Sequence, residues 1–148
     1  MSGGSAGLLR DGKGSTWEGG FREPSIFWGP GNVTPRVVMD MGTTMDVFTT
    51  FSNLAGVPNP DDREMDGMDL TPVLFGDANS PRNEMFYYRG RDLFAVRVGA
   101  YKAHFITQDA YSGEGPVQHD PPLLYNVEED PSERFDIAEK HPRGDRAN

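Results

Sequence analysis

From Met85 onward apolar residues recur with a period of two, and this alternation limits what the chain can fold into more than any other feature. Phe86-Tyr87-Tyr88, Leu93–Val98, Tyr101–Ile106 and Leu123–Val127 read as strands bounded by turn residues. Gly99-Ala100 is a two-residue Gly-x loop of the type II′ kind, so the second and third strands form a hairpin. That loop sets Val98 opposite Tyr101, Val96 opposite Ala103 and Phe94 opposite Phe105. These residues share one face, which is expected to be core. Ala95, Arg97, Lys102 and His104 fall on the other face, expected to be a solvated or loop-covered surface with a small cationic patch.

The first half reads differently. Residues 1–22 are loop-like, with glycines interleaved among charges and one Trp. Ser25-Ile26-Phe27-Trp28 is a short apolar run closed by Gly29-Pro30-Gly31, which favours a buried strand. Residues 43–55 read as a helix. Thr43-x-x-Asp46 resembles a capping box, Met45, Phe48, Phe51 and Leu54 form one apolar face, and Gly56 sits at the C′ position. A short helix is expected at Pro72–Phe75, capped by Thr71 and ended by Gly76. A lone strand of the buried type needs neighbours on both sides, and the chain offers none nearby. The segment is therefore expected to belong to a larger sheet supplied from elsewhere.

Composition narrows the function classes. The 148 residues carry a formal net charge of −9, which argues against a general basic surface for nucleic acid and against adhesion to anionic membranes. There is no cysteine, so disulfides, thiolate metal sites and a cysteine nucleophile are excluded. No apolar run is long enough for a membrane-spanning helix. Met1 leads into Ser-Gly-Gly-Ser-Ala-Gly, so no secretory signal peptide is expected. The 18 glycines and 12 prolines predict many turns.

Gly7 to Ser15 nearly spells a P-loop, G-x-x-x-x-G-K-[ST], but Gly14 stands where the metal-ligating hydroxyl belongs. The segment also neither follows a strand nor opens a long helix, so nucleotide binding is disfavoured. Lys13, flanked by Gly12 and Gly14, remains a compact cation with three donors that a ligand's phosphate or sulfate oxygens could approach closely. The competing reading is an exposed lysine in a flexible loop.

The longer string from Gly12 to Pro24, GKGSTWEGGFREP, resembles the second signature of the sulfatase family, G-K-x-[ST]-x-x-E-G-G-x-R-x-P, at every defined position. Asp66-Gly67-Met68-Asp69-Leu70-Thr71-Pro72, the tract from Phe94 to Phe105, Pro121-Pro122-Leu123-Leu124-Tyr125 and Asp130-Pro131-Ser132-Glu133 also resemble the family, the arylsulfatase A type most closely. The resemblance runs over roughly residues 3–142. It implies an α/β fold: the C-terminal part of an alkaline-phosphatase-like sulfatase, ending in a small antiparallel sheet. Residues 1–80 would be the end of the catalytic domain, and residues 81–148 the sheet subdomain and polar tail.

The resemblance also implies a chemistry. Sulfatases hydrolyse sulfate esters with a formylglycine made from Cys or Ser in a C/S-x-P-x-R motif, beside a calcium ion held by Asp and Asn or Gln side chains. This chain has no such motif and no such calcium pair, so neither cofactor is expected within it. Lys13 carries over as the contact to the substrate sulfate. A fixed cation of this kind stabilises charge gathering on the sulfate oxygens. His104 is a weaker candidate for substrate contact through the cationic face. Gly12, Thr16, Glu18, Gly19, Gly20, Arg22 and Pro24 carry over as architecture: Glu18 and Arg22 brace the loop and Gly19-Gly20 supplies its turns. The implied partners are an N-terminal sulfatase domain, whether missing or encoded by a split gene, and a sulfate ester. Neither nucleic acid nor membrane is implied. Family members are commonly periplasmic, secreted or lysosomal. An alternative is a binding or interaction module derived from the same fold.

Other polar groups have simpler readings. His119 and His141 are expected to be solvated. Asp61-Asp62 and Glu128-Glu129-Asp130 are adjacent loop carboxylates, which usually face water rather than a metal.

Overall fold

The computed structural model describes residues 4–76 and 78–141. The chain divides into two compact units, one drawn from Met1–Pro24 with Glu84–Asn148, the other Ser25–Asn83. The signature segment belongs with the sheet that follows it in sequence by some seventy residues, not with the helices next to it.

The sheet unit is a four-stranded antiparallel meander in the order β1 (Glu84–Arg89), β2 (Asp92–Val98), β3 (Tyr101–Thr107), β4 (Val117–Asn126). Val98 lies opposite Tyr101 and Val96 opposite Ala103, the register set by the Gly99 turn, where φ is 54°. β4 begins earlier than the apolar pattern suggests, because Asp120-Pro121-Pro122 reads as a strand breaker. As an edge strand β4 bonds on one side only, so prolines are tolerated there. The ladder breaks between His104 and Ile106, and residues 119–122 pass opposite the gap.

Sheet polarity is the main correction to the sequence reading. The face carrying Tyr87, Ala95, Lys102 and His104 is the buried one. On the face expected to be core, Phe86, Val98, Tyr101 and Phe105 are exposed, and only Phe94 is fully covered. Counting apolar side chains picks the Val/Phe face as core. The cations go inside instead because carboxylates from distant segments meet them there and Trp17 covers them. Trp17, Tyr125 and Val127 form the apolar nucleus on that side, with Leu123 packed against it.

In the other unit, α2 (Thr44–Leu54) starts at Thr43, whose N–H donates to the Asp46 carboxylate at 2.7 Å. It ends in a Schellman pair: Val57 N–H to Ser52 O and Gly56 N–H to Asn53 O, with Gly56 at φ 67°. Its apolar row is partly exposed, and the buried face is Asp46, Thr49 and Thr50. Asp46 is a hub that also accepts Met68 N–H at 2.8 Å and an Arg82 guanidinium N–H at 2.6 Å. These donors hold its carboxyl below the usual range despite burial. The following short helix, α3 (Thr71–Phe75), begins one residue earlier than expected. Thr71 is its first helical residue rather than its cap: Leu70 holds the N-cap position without a side-chain bond, and Asp69 accepts the Thr71 N–H at 2.9 Å.

Ser25–Trp28 forms no strand. Ile26 and Trp28 stand 92% and 84% exposed. A ladder needs a neighbour, and among the described residues this unit contains no other strand. With Phe51, Leu54 and Phe75 these side chains line an open apolar groove of about 700 Å³.

Candidate substrate-binding site

The signature segment is a tight loop running into one helical turn, α1 (Glu18–Phe21). Lys13 sits at the loop's outer bend, exposed and without a hydrogen bond or ion pair among the described residues. Behind it the Ser15 N–H and hydroxyl both donate to Gly12 O, at 3.2 and 3.0 Å, and Gly14 adopts φ 98°. Asp11 accepts the Ala110 N–H at 2.7 Å, tying the loop to the β3–β4 connection, and the Tyr111 ring stands against Gly14.

Gly19 and Gly20 have a different role from the one expected. Neither has positive φ. A Cβ on Gly19 would lie 2.4 Å from Arg10 O, and one on Gly20 would lie 2.3 Å from Ser15 O. They are glycines because the loop carrying Lys13 rests directly on them, and Gly19 N–H bonds Arg10 O at 2.8 Å.

Beneath the loop lies a buried charge network. The Lys102 ammonium donates to Glu18 at 2.9 Å and lies 3.2 Å from Glu133; all three side chains are out of water. Arg97 and Arg22 approach Glu18 at 3.7 and 3.8 Å. Glu133 accepts the Glu18 N–H at 2.6 Å and meets His104 Nε2 at 2.7 Å. Burial opposes a charged Glu133, but His104, Lys102 and the Glu18 N–H outweigh it and hold the carboxyl below its ordinary value. Burial pushes His104 the same way, toward the neutral imidazole, and the Glu133 bond only partly offsets this. Trp17 closes the network. It lies 4.3 Å from the His104 ring, under the Arg10 guanidinium at 3.5 Å, with Nε1–H donating to Asp109 at 3.1 Å.

His104, expected as a minor substrate contact, is thus wholly buried on Glu133 and belongs to the buried charge network. Thr16 is buried beside Ser15 in the loop. Arg22 is half-buried near Glu18, and Pro24 is exposed. His119, expected in water, is half-buried and bonds Thr107 Oγ1 at 2.8 Å. Glu133 is the residue whose role sequence reasoning missed. It was visible only as the last letter of the D-P-x-E run, with no sign that it reaches back to residue 18.

Among the described residues no three His, Asp or Glu side chains converge as a metal site requires. Asp62 pairs with Arg63 at 2.7 Å, and Asp130 accepts the N–H groups of Arg134 and Phe135. Among the described residues these carboxylates meet neighbouring N–H groups or a guanidinium rather than a common centre, and the sequence holds no C/S-x-P-x-R motif. No step through calcium or formylglycine is assigned to these residues.

Comparison with known proteins agrees with the signature. The family described as the C-terminal region of aryl-sulfatase matches residues 80–147. The chain is 40% identical over 151 residues to human arylsulfatase A, covering 91% of this chain and 30% of that protein. It is 41% identical over 157 residues to the N-acetylgalactosamine-6-sulfatase of Canis lupus familiaris, covering 92% of this chain and 30% of that protein. The crystal structure of the PsFucS1 sulfatase from Pseudoalteromonas sp. superposes with a TM-score of 0.78 at 29% identity, covering 89% of this chain and 28% of that one. The chain belongs to the sulfatase family and has the fold of its C-terminal part. It spans about 30% of the length of the curated relatives it matches.

Proposed function

We propose that this chain is the portion of an arylsulfatase-type sulfuric ester hydrolase that supplies the lysine contact to the substrate sulfate. The observation that carries the reading is the presentation of Lys13. An ammonium without a partner among the described residues stands at the bend of a loop whose underside rests on two glycines and which runs on into the buried residues Ser15, Thr16, Trp17 and Glu18. Rigid backing of this kind is what electrostatic stabilisation of a transition state needs, because a cation free to relax is worth far less. The residues described here bind and orient the sulfate; the nucleophile and the calcium ligands come from the remainder of a sulfatase. The 148 residues alone are therefore inactive. The experiment has two arms. The purified chain is assayed on an aryl sulfate, and the same chain is then fused to, or mixed with, a sulfatase N-terminal domain carrying the C/S-x-P-x-R motif. No turnover is expected in the first arm. In the second, Lys13→Ala should lower kcat/KM by about a hundredfold, on the order of 3 kcal/mol. Turnover by the chain alone, or a reconstituted Lys13→Ala as active as the parent, rejects the reading.

A further inference from the structure

The Lys13 ammonium has no partner among the described residues, so its placement depends on how the loop is fastened on either side of it. One distant turn fastens both sides. Upstream, the Ser132 hydroxyl donates to the Leu8 carbonyl, and the Arg10 guanidinium donates to the Glu133 carbonyl at 2.9 Å. Downstream, the Glu18 N–H donates to Glu133 Oε2 at 2.6 Å. Glu133 thus holds one flank of Lys13 with its backbone and the other with its side chain. The second carboxylate oxygen, Oε1, meets His104 Nε2 at 2.7 Å and lies 3.2 Å from the Lys102 ammonium, so the side chain cannot swing away without breaking those contacts.

Glu133 also adopts φ 49°, in the left-handed region that residues with a Cβ rarely occupy. Its own N–H donates to the Asp130 carbonyl at 3.0 Å, and the Asp130 carboxylate takes the N–H groups of Arg134 and Phe135. A strained residue persists where its surroundings over-determine it, and such residues gather where geometry serves function. Glycine would relieve the strain here but has no carboxylate for the Glu18 N–H. Arg10 stiffens the same hold: its guanidinium lies 3.5 Å over the Trp17 ring, and its carbonyl accepts the Gly19 N–H at 2.8 Å.

We infer that Glu133 is a positioning residue for the sulfate contact, fixing through Arg10 and Glu18 the two ends of the loop that carries Lys13. The inference rests on the sulfatase reading for the role of Lys13. Glu133 is wholly buried beneath the loop and acts by limiting how far the ammonium can drift. A misplacement of about 1 Å can cost about a hundredfold in rate.

The test is a double-mutant cycle on the chain fused to a sulfatase N-terminal domain. Glu133→Asp keeps the charge but draws the carboxylate back by one methylene. Arg10→Met keeps a side chain over Trp17 and removes only the donor to Glu133, so the test survives if Glu133→Asp fails to fold. Each should lower kcat on an aryl sulfate by about tenfold with little change in KM. Once Lys13 is replaced by Ala, each should lower kcat by less than about twofold, because a residue acting through Lys13 has nothing left to position. A general loss of stability would slow both backgrounds alike. In the full chain by itself, hydrogen exchange at the Ser15 and Gly19 amides should quicken about tenfold in both variants and stay unchanged within α2. Equal losses of kcat in the two backgrounds, or parental kinetics or exchange in Arg10→Met, overturn the positioning role and leave the sulfate contact standing. A Lys13→Ala enzyme as active as the parent rejects the sulfate reading and this inference with it.

Discussion

Three residues of opposite charge, Glu18, Lys102 and Glu133, decide how the sheet unit is assembled. Removing one member of a buried ion cluster strands the others, which typically costs about 3–5 kcal/mol. Glu133→Gln should therefore destabilise the chain by about 3 kcal/mol in urea unfolding, more than Asp62→Asn in its exposed pair with the neighbouring Arg63. The same cluster sets an acid limit. His104 has a folded pKa below its ordinary 6.5, so the unfolded state binds the extra proton, and the stability due to the neutral ring is lost as pH falls below about 6.5. Glu133, whose folded pKa is also depressed, contributes stability that is present above its ordinary 4.5 and lost as pH falls below it. Melting temperature should thus decline in two stages on acidification. In His104→Gln the upper stage should be missing, and a decline of unchanged slope between pH 6.5 and 5 in that variant would refute the assignment. None of this was legible residue by residue. The pattern of alternation located Lys102 and His104 on one face, but their partners lie 84 and 29 positions away, and local pattern carries no information about them.

At the scale of elements, what depends on near neighbours was readable. The Gly99 turn and its register, the start of α2 at Thr43 and its stop at Gly56 all follow from residues within a few positions of one another. What depends on partners was not. Ser25–Trp28 has the composition of a buried strand but finds no ladder, and the apolar row of α2 faces outward while its threonines pack inward. The glycines of the signature show the same division. In sequence Gly12, Gly19 and Gly20 look equivalent, yet only the last two lie against backbone. Gly20→Ala should cost about 1–3 kcal/mol, as overpacking does, and should shift the amide resonances from Gly12 to Ser15. Gly12→Ala, with nothing within 4 Å of the new methyl group, should change stability by no more than about 0.5 kcal/mol. Equal costs at the two positions would mean that the loop does not rest on α1 as described.

For the molecule as a whole, the groove lined by Ile26, Trp28, Phe51, Leu54 and Phe75 is a liability in water. The chain alone should associate in a concentration-dependent way by sedimentation velocity, and Ile26→Lys with Trp28→Ser should restore the monomer without lowering helix content. A monodisperse parent at about 100 μM would contradict this. The sheet unit raises a different matter, one of timing. Its closure joins the first segment of the chain to one of the last: Glu18 N–H to Glu133, Arg10 to the Glu133 carbonyl, and Ser132 Oγ to the Leu8 carbonyl. Contacts so far apart in sequence are slow to form, because the intervening chain must be ordered before they reward it. On the ribosome, the loop that presents Lys13 has no seat until residue 133 has left the exit tunnel, so this binding element is completed long after its own residues have been made.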